Sequence, residues 1–577
     1  MAESFNERKR VSTFLSTAQI AALKDQLSGS GCVVHEPGSR GYAQATRLWN
    51  GTVERKPALV TACSNTNDVR TALLAARAAG LPVSVRNSGQ DWVGRALRDG
   101  GLVLDLTPMQ QCSVNVEALE ATLSGGVTVA DLNAAAGRHA LAAVIANDGA
   151  VSMAGLLLGG GYGPLMTRFG LASDNLISAQ LVLADGTIVL CDATHNRDLF
   201  WAVKGGGGNF GVVTSMRLRL HRVGEVLSGS IVFPWGDAPR VLERFSWLMQ
   251  AAPDELAGAA ILSLGPGGNP VVVVSPTWSG HPERGRRIVS EIESFGTPIV
   301  SKVGPMAAAD LLTLTDGKLV SGRGYEVATR WLSDLSADIV STLIAAYDNR
   351  TSPSSSIILH HFHGAGTRIP PGDTAFGMRQ PHFTALIYGA WEPAHVDGTN
   401  HRRWTHNLSS KLSGWALPGG YANLLDDNAR EQIGSAFGPN GQRLLNLPGL
   451  TPAIFFQRYL CQADENRLSS VCSAACTEKA PLAGPLHIVP NQLVCRRGSA
   501  SQPVSALHRQ KNCYARSAAP QVRAACSPMM THGAMVLPLT TRGIIDASAI
   551  RRFFMPKTLS LPSTTDSGSW PIFAVPL

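Results

Sequence analysis

DLFWAVKGGGGNFGVVTSMRLRLH, residues 198–221, decides the fold. Four consecutive glycines, Gly205 to Gly208, lead through Asn209-Phe210-Gly211 into Val212-Val213-Thr214, which opens the strand SMRLRL. Positions without a Cβ tolerate positive φ and let backbone approach a flat or phosphorylated ligand closely. The signal recurs upstream: Asn147-Asp148-Gly149-Ala150-Val151-Ser152-Met153-Ala154-Gly155 runs on to Gly159-Gly160-Gly161-Tyr162-Gly163. Earlier still, Arg86-Asn87-Ser88-Gly89-Gln90-Asp91 follows a strand, a place where backbone N–H groups can meet phosphates. Taken alone, this last loop reads equally well as an ordinary polar turn. Three glycine clusters in one stretch of chain are poorly explained by turns. None is a dinucleotide-binding GxGxxG, and there is no P-loop.

Around these clusters, short apolar runs alternate with helical stretches. PALVTAC, LPVSVR and GGLVLDL read as strands, NDVRTALLAARAAG and VTVADLNAAAGRHAL as helices, and LISAQLVLADGTIVLC as a hairpin turning on Asp185-Gly186. From 223 to 425 the strands VLSGSIVFPW, NPVVVVSPTWSG, SSIILHHFHG and FTALIYGAW are separated by the helices ERGRRIVSEIESF and SADIVSTLIAAYDN. That order predicts a second domain, an antiparallel sheet covered by helices. The fold class is α+β.

At 577 residues the chain is too long for one core. With 44% hydrophobic and 16% charged residues it suits a soluble enzyme. No apolar run reaches membrane-spanning length and the N-terminus lacks a secretory pattern, so no membrane partner and a cytoplasmic location are expected. The net charge of +8 would suggest nucleic acid, yet residues 1–447 balance at 37 basic and 37 acidic residues. The excess, 13 against 5, lies in 448–577, together with six of the ten cysteines. Those cysteines lack zinc spacing, and no nucleic-acid partner or metal is expected.

PVSVRNSGQDWVGRALRDGGLVLDL, GGGYGPLMTRFGLASDN and the 198–221 stretch together resemble the p-cresol methylhydroxylase-type FAD domain of the vanillyl-alcohol oxidase superfamily. Within it they are similar to the berberine-bridge-enzyme-like group, which also holds 6-hydroxy-D-nicotine oxidase. The resemblance covers roughly residues 35–447. It implies a two-lobed FAD-binding domain over residues 1–222 (core about 54–222) and a substrate domain over 223–425. Residues 426–447 then return to the FAD domain. It also implies hydride removal to flavin N5, from a small organic alcohol, amine or secondary metabolite, with O2 as acceptor. FAD is expected against Arg86, Asn87, Ser88, Gly89, Gln90, Asp91, Asp148, Gly149, Ser152, Gly155, Gly161, Tyr162, Val213 and Asn423. The oligomeric state is not legible.

Two departures matter. The family's Arg-Gly-Gly-Gly-His loop, whose His bonds to the flavin, is here Arg86-Asn87-Ser88-Gly89-Gln90, and an amide cannot form that bond. The second anchor of bicovalent members, a Cys, is matched by Asp148. Non-covalent FAD is expected, with a lower flavin potential and slower oxidation by analogy. The rival is a flavin-depleted homologue that sequesters a small hydrophobic molecule. Tyr421-Ala422-Asn423 resembles the family's Tyr-x-Asn, which makes Tyr421 the candidate catalytic group, through a lowered pKa or concerted hydride loss. In His360-His361-Phe362-His363, strand alternation puts His361 and His363 on one side, and they are assigned to the substrate pocket, with a core position as the alternative. Arg368, Arg379 and Trp391 read as structural.

After GPNGQRLLNL (438–447), the family's closing Asp-Pro-x-Asn segment is absent, and PGLTPAIFFQRYLCQAD follows. Possible codons for this stretch, read two bases later, spell Arg-(Phe, Leu, Ile or Val)-Asp-Pro-Gly-Asn-Ile-Phe-Ser-Ala-Leu-Ser-Leu-Pro-Gly-stop, where the third base of the Pro448 codon permits Arg. Residues 448–577 are therefore read as translated out of frame, and as a disordered tail.

Overall fold

A computed structural model describes residues 15–314 and 320–447, so the tail at 448–577 lies outside the described residues. Strands β1 (Val33–His35), β2 (Leu59–Ala62), β3 (Val83–Arg86) and β4 (Leu102–Asp105) form a sheet in the order β1-β2-β4-β3. The last three are parallel, and β1 is antiparallel at the edge. Parallel strands need a crossover, and the helix Thr66–Ala78 supplies the one that carries the chain from β2 over to β3, on the far side of β4. Asn65 starts this helix, its side-chain oxygen accepting from the N–H groups of Asn67 (2.9 Å) and Asp68 (3.0 Å). Val69, Ala72, Leu73 and Ala76 give it one apolar stripe, buried with Val182 and Val212 of the next sheet.

That next sheet contains β5 (Cys112–Asn115), β6 (Glu120–Ser124), β8 (Leu176–Val182), β9 (Ile188–Asp192) and β10 (Val212–Arg219). Its order is β5-β6-β10-β8-β9, all antiparallel. The β8–β9 hairpin turns through Asp185-Gly186. Strands β7 (Leu141–Ala142) and β11 (His221–Arg222) form a small separate pair. The helix Val129–Gly137 starts at a reciprocal cap between Thr128 and Asp131.

Eight strands then make one antiparallel sheet: β12 (Glu225–Pro234), β13 (Leu256–Leu264), β14 (Pro270–Trp278), β15 (Val300–Ala307), β16 (Gly324–Leu332), β17 (Ser356–Phe362), β18 (His382–Trp391) and β19 (Ala416–Leu417). The spatial order is β15-β12-β14-β13-β17-β18-β16-β19. Alternate residues take opposite faces. Val272, Val274, Ile357, Leu359, Ala385 and Ile387 pack in one cluster with residues of the helices Ala238–Gln250, Pro282–Glu293, Ala337–Asp348 and Thr399–Leu412. Val271, Val273, Ile358, Leu386 and Tyr388 face the other way, towards Trp49 and Trp92 of the first lobe. Burial on both faces is why these strands read as unbroken apolar runs.

Several polar contacts join the eight-stranded sheet to the lobes. Asn50 donates to the carbonyls of Trp92 (2.8 Å) and Tyr325 (3.0 Å), and Trp49 stacks on Tyr325. Arg379 pairs bidentately with Asp174 at 2.8 and 2.9 Å, both side chains almost fully buried. The segment after Leu425 docks back: Gln432 donates to Thr329 (2.7 Å) and Gly419 (2.9 Å), and Asn440 to Pro371 (2.6 Å) and Thr374 (3.0 Å). Leu444 and Leu447 enter the core that holds Ala202 and Val203. Among the described residues no helix is long and apolar enough to cross a membrane.

Candidate active site

A cavity of about 810 Å³ opens between the glycine-rich loops and the first-lobe face of the eight-stranded sheet. That volume is near the upper end of the roughly 300–1,000 Å³ usual for ligand sites. The loops form its floor. From the turn after β3 come Asn87, Ser88, Gly89, Gln90 and Asp91; from the second cluster Asp148, Ser152, Gly155 and Tyr162; from the third Gly207, Gly208, Asn209 and Val213. Tyr421 and Asn423 close one side. The sheet is the roof, through Ser230, Ala257, Ala259, Ser275, Thr277, His360, Thr384 and Tyr388 among others.

Each loop is held by its own polar contacts. Asn87 donates from Nδ2 to the Gly125 carbonyl (2.9 Å) and to Ser152 Oγ (3.2 Å), while its Oδ1 is buried without a hydrogen-bond partner. Ser152 caps the helix Met153–Leu158, its Oγ accepting from Gly155 N (3.1 Å). Asp91 accepts from the N–H groups of Val93 (3.3 Å) and Ala96 (2.8 Å), and Asp148 from Ala150 N–H (2.8 Å). Gly207 has φ +86°, and its N–H donates to Leu158 O at 2.8 Å. A Cβ added there would meet only Asn209 Nδ2, at 3.5 Å, and one at Gly208 only Leu158 Cδ1, at 3.9 Å. Bare backbone thus opens onto the cavity, as close approach of a large flat ligand requires. Together with the unpartnered Asn87 Oδ1, this shelf fits the FAD expected here.

Four assigned residues do not border the cavity. Arg86 turns behind its loop, its guanidinium donating to Asn87 O (2.8 Å), Asp105 Oδ1 (3.1 Å) and Thr107 Oγ1 (2.8 Å), so it buttresses the turn. Gly149 packs on Ala130, and Gly161, with φ +88°, packs between Ala172 and Leu156. His363 lies beyond the end of β17, its Nδ1 3.0 Å from His361 Nδ1 and its Nε2 3.4 Å from Pro253 O. His361 borders the cavity, but its ring packs on Phe383, a residue of the helix-covered face. His360 is the histidine on the cavity face, beside Ile358 in alternation. The sequence contained that signal, but alternation alone does not say which face is the roof.

Electrostatically the roof is neutral. Burial lowers the pKa of both His360 and His361 to about 3, and that of His382 to about 4. Tyr421 moves upward, to about 12, because burial outweighs the hydrogen bond it accepts from Asn423 Nδ2 at 3.3 Å. The lowered phenol pKa considered from the sequence is therefore not what this environment produces. Tyr162 meets Tyr421 edge to face and is pushed up by burial and by that neighbour. Among the described residues, no three His, Cys, Asp or Glu gather as metal ligands.

Two glycine-lined lobes under an antiparallel roof make a fold shared with solved FAD-dependent oxidases. Residues 57–192 match the family described as FAD binding domain. An FAD-linked oxidoreductase of Dictyostelium discoideum is 29% identical over 421 residues, covering 72% of this chain and 90% of that protein. (R)-6-hydroxynicotine oxidase of Paenarthrobacter nicotinovorans is 37% identical over 222 residues, 38% of this chain and 47% of that one. A solved BBE-like 1 variant of Physcomitrella patens aligns with TM-score 0.68 and 22% identity, over 73% of this chain and 95% of its own. The chain is an FAD-linked oxidoreductase with the fold of the berberine-bridge-enzyme-like oxidases.

Proposed function

We propose that this protein holds FAD without a covalent bond and oxidises a small organic molecule bound between the cofactor and the roof, with O2 as the final acceptor. The observation that carries the reading is the bare shelf at Gly207-Gly208 facing a roof across one cavity, which Gln90 and Asp148, the positions the family resemblance assigns to the anchors, also border. Bound FAD supplies the two-electron acceptor. The chain's own groups do the rest. Asn87, Ser152 and the loop amides hold the cofactor, the uncharged roof covers the substrate, and Tyr421 presents a protonated hydroxyl to its reacting end. Residues 223–425 bind substrate, and 426–447 brace the FAD lobes. Non-covalent retention is energetically reasonable, since nanomolar affinity needs only about −12 kcal/mol.

The test is an absorbance spectrum of the purified protein, repeated on pellet and supernatant after acid precipitation. Yellow protein that releases all its flavin to the supernatant supports the reading. Flavin left in the pellet overturns the non-covalent part. A colourless protein that cannot be reconstituted with FAD points to a homologue that binds small molecules without turnover.

A further inference from the structure

Two cysteines meet across the first sheet. β1 and β2 run antiparallel, with His35 opposite Val60, Val34 opposite Thr61 and Val33 opposite Ala62. One residue further on, that register sets Cys32 opposite Cys63. Backbone hydrogen bonds fix the kind of pair. Cys63 N–H points away from β1 and donates to Asp105 O of β4 at 2.8 Å, and Cys32 N–H turns back to Leu27 O in the helix Thr17–Gly29 at 3.1 Å. A non-hydrogen-bonded pair of this kind brings its Cα atoms to about 4.5 Å, inside the roughly 4.4–6.8 Å that a disulfide spans. The side chains also share a face: both are buried in one cluster with Leu23, Leu27, Leu59 and Leu73, whereas Val60 packs on the opposite side.

The other described cysteines are not so placed. Cys112 and Cys191 lie on β5 and β9, the opposite edges of the second sheet. Cys32 and Cys63 are thiols in the structure, and burial raises the pKa of both, that of Cys63 the more. Neither is a ready nucleophile, which suits a pair that reacts slowly and with its neighbour better than a catalytic or metal-binding thiol. Cys32, 5% exposed against 0% for Cys63, is the one that meets an oxidant first.

We propose that Cys32 and Cys63 form a disulfide on exposure to a small disulfide of the glutathione class, locking β1 onto β2. The Cys32 thiol gives up its proton and attacks one sulfur of the oxidant. The oxidant's S–S bond breaks, and one small thiol leaves with the bonding pair and takes up a proton. Cys63 then loses its proton and attacks Cys32 Sγ, expelling the second small thiol in the same way. Two protein thiols are thus oxidised by two electrons, and one small disulfide is reduced to two thiols. The lock falls where the lobe has little else to hold it: β1 is a three-residue edge strand bonded to β2 alone. The loop from Cys32 to Cys63 carries Trp49, whose N–H donates to Gly89 O in the first glycine loop at 2.9 Å, and Asn50, which holds Tyr325 in the eight-stranded sheet. Closing it restrains the chain that ties that glycine loop to the sheet. The inference goes beyond the flavin reading and does not depend on it.

The test holds full-length protein with either glutathione disulfide or dithiothreitol, removes the reagent, unfolds the protein in iodoacetamide and digests it with trypsin for mass spectrometry. The oxidised sample is expected to yield residues 25–40 joined to residues 56–70 through Cys32 and Cys63, and the reduced sample the same peptides apart and alkylated. The linked protein should also melt about 4 °C higher, since loop-closure entropy is removed from the unfolded chain, and the rise should vanish in Cys32→Ala. Both cysteines alkylated after oxidant, Cys32 carrying only glutathione, or either one linked to another cysteine overturns the inference. So does an unchanged midpoint in the linked protein, or a rise that persists in Cys32→Ala. Should Cys32→Ala fail to fold, the peptide map and melting of the parent chain decide alone.

Discussion

Asn87 Nδ2 stands 3.2 Å from Ser152 Oγ, so the first flavin loop is tied by a side chain to the cap of the second. The same amide also donates to the Gly125 carbonyl, at the end of β6. A glycine here, as the family resemblance leads one to expect, would make neither contact. Asn87→Gly is therefore expected to weaken FAD binding by about 1 kcal/mol, close to a fivefold rise in Kd, since one or two neutral hydrogen bonds are lost. Titration by flavin fluorescence checks this. Tighter binding in the variant would mean that the asparagine obstructs the site.

Gln90 borders the same cavity, and the family resemblance leads one to expect a histidine at this position. Gln90→His is expected to retain part of its flavin in the acid-precipitated pellet, because imidazole supplies the nucleophile that an amide lacks. Complete release from a yellow variant would show that position 90 is not placed for attachment.

The floor of the site was legible because glycine clusters advertise backbone meeting a ligand, and Gly207 and Gly208 do open onto the cavity. The roof was less so. Val271 to Val274 and Ile357 to Leu359 are apolar at every position, since the sheet is covered on both sides, and the phase that distinguishes His360 from His361 is lost in such runs. Gly149 and Gly161 carried the same sequence signal as the shelf but serve packing against Ala130 and Ala172. The long-range partners of Asn50, Gln432 and Asn440 depend on contacts that no local pattern encodes.

Acid should unfold the protein through its buried imidazoles. His361 and His382 have folded pKa values of about 3 and about 4, below the ordinary value of 6.5. Above 6.5 neither state binds the proton. As pH falls below 6.5 the unfolded chain takes it up and the folded chain does not, so stability is lost down to about pH 4. At pH 5 each such group costs about 2 kcal/mol. Denaturant melts at pH 7 and pH 5 should show the loss, and His382→Gln should reduce the slope by about one proton. An unchanged slope would mean that His382 is solvated in the folded state.

Arg379 and Asp174 tie the segment before β18 to the segment before β8: one guanidinium holds the carboxylate and also donates to Gly366 O (3.0 Å) and Thr374 Oγ1 (2.6 Å). Removing one partner strands a buried charge. Arg379→Met or Asp174→Leu alone should cost about 3–5 kcal/mol, and the double variant should recover much of that loss. Additive losses in denaturant melts would show that the pair does not interact as drawn.

The return segment ends at Leu447, buried in the core with Leu444. If residues 448–577 are out of frame, they contribute nothing to FAD binding, and the segment that belongs there is the Asp-Pro-Gly-Asn sequence read two bases later. Sequencing the coding DNA through Leu447 and Pro448 is the direct check, and an unbroken frame there defeats the reading. The physical check is a variant in which 448–577 is replaced by Arg-Phe-Asp-Pro-Gly-Asn-Ile-Phe-Ser-Ala-Leu-Ser-Leu-Pro-Gly. Restored packing of two or three apolar side chains should raise stability by several kcal/mol, at about 1.5–3 kcal/mol for each one buried. A variant that melts with the parent chain would show that the segment has no seat on this fold.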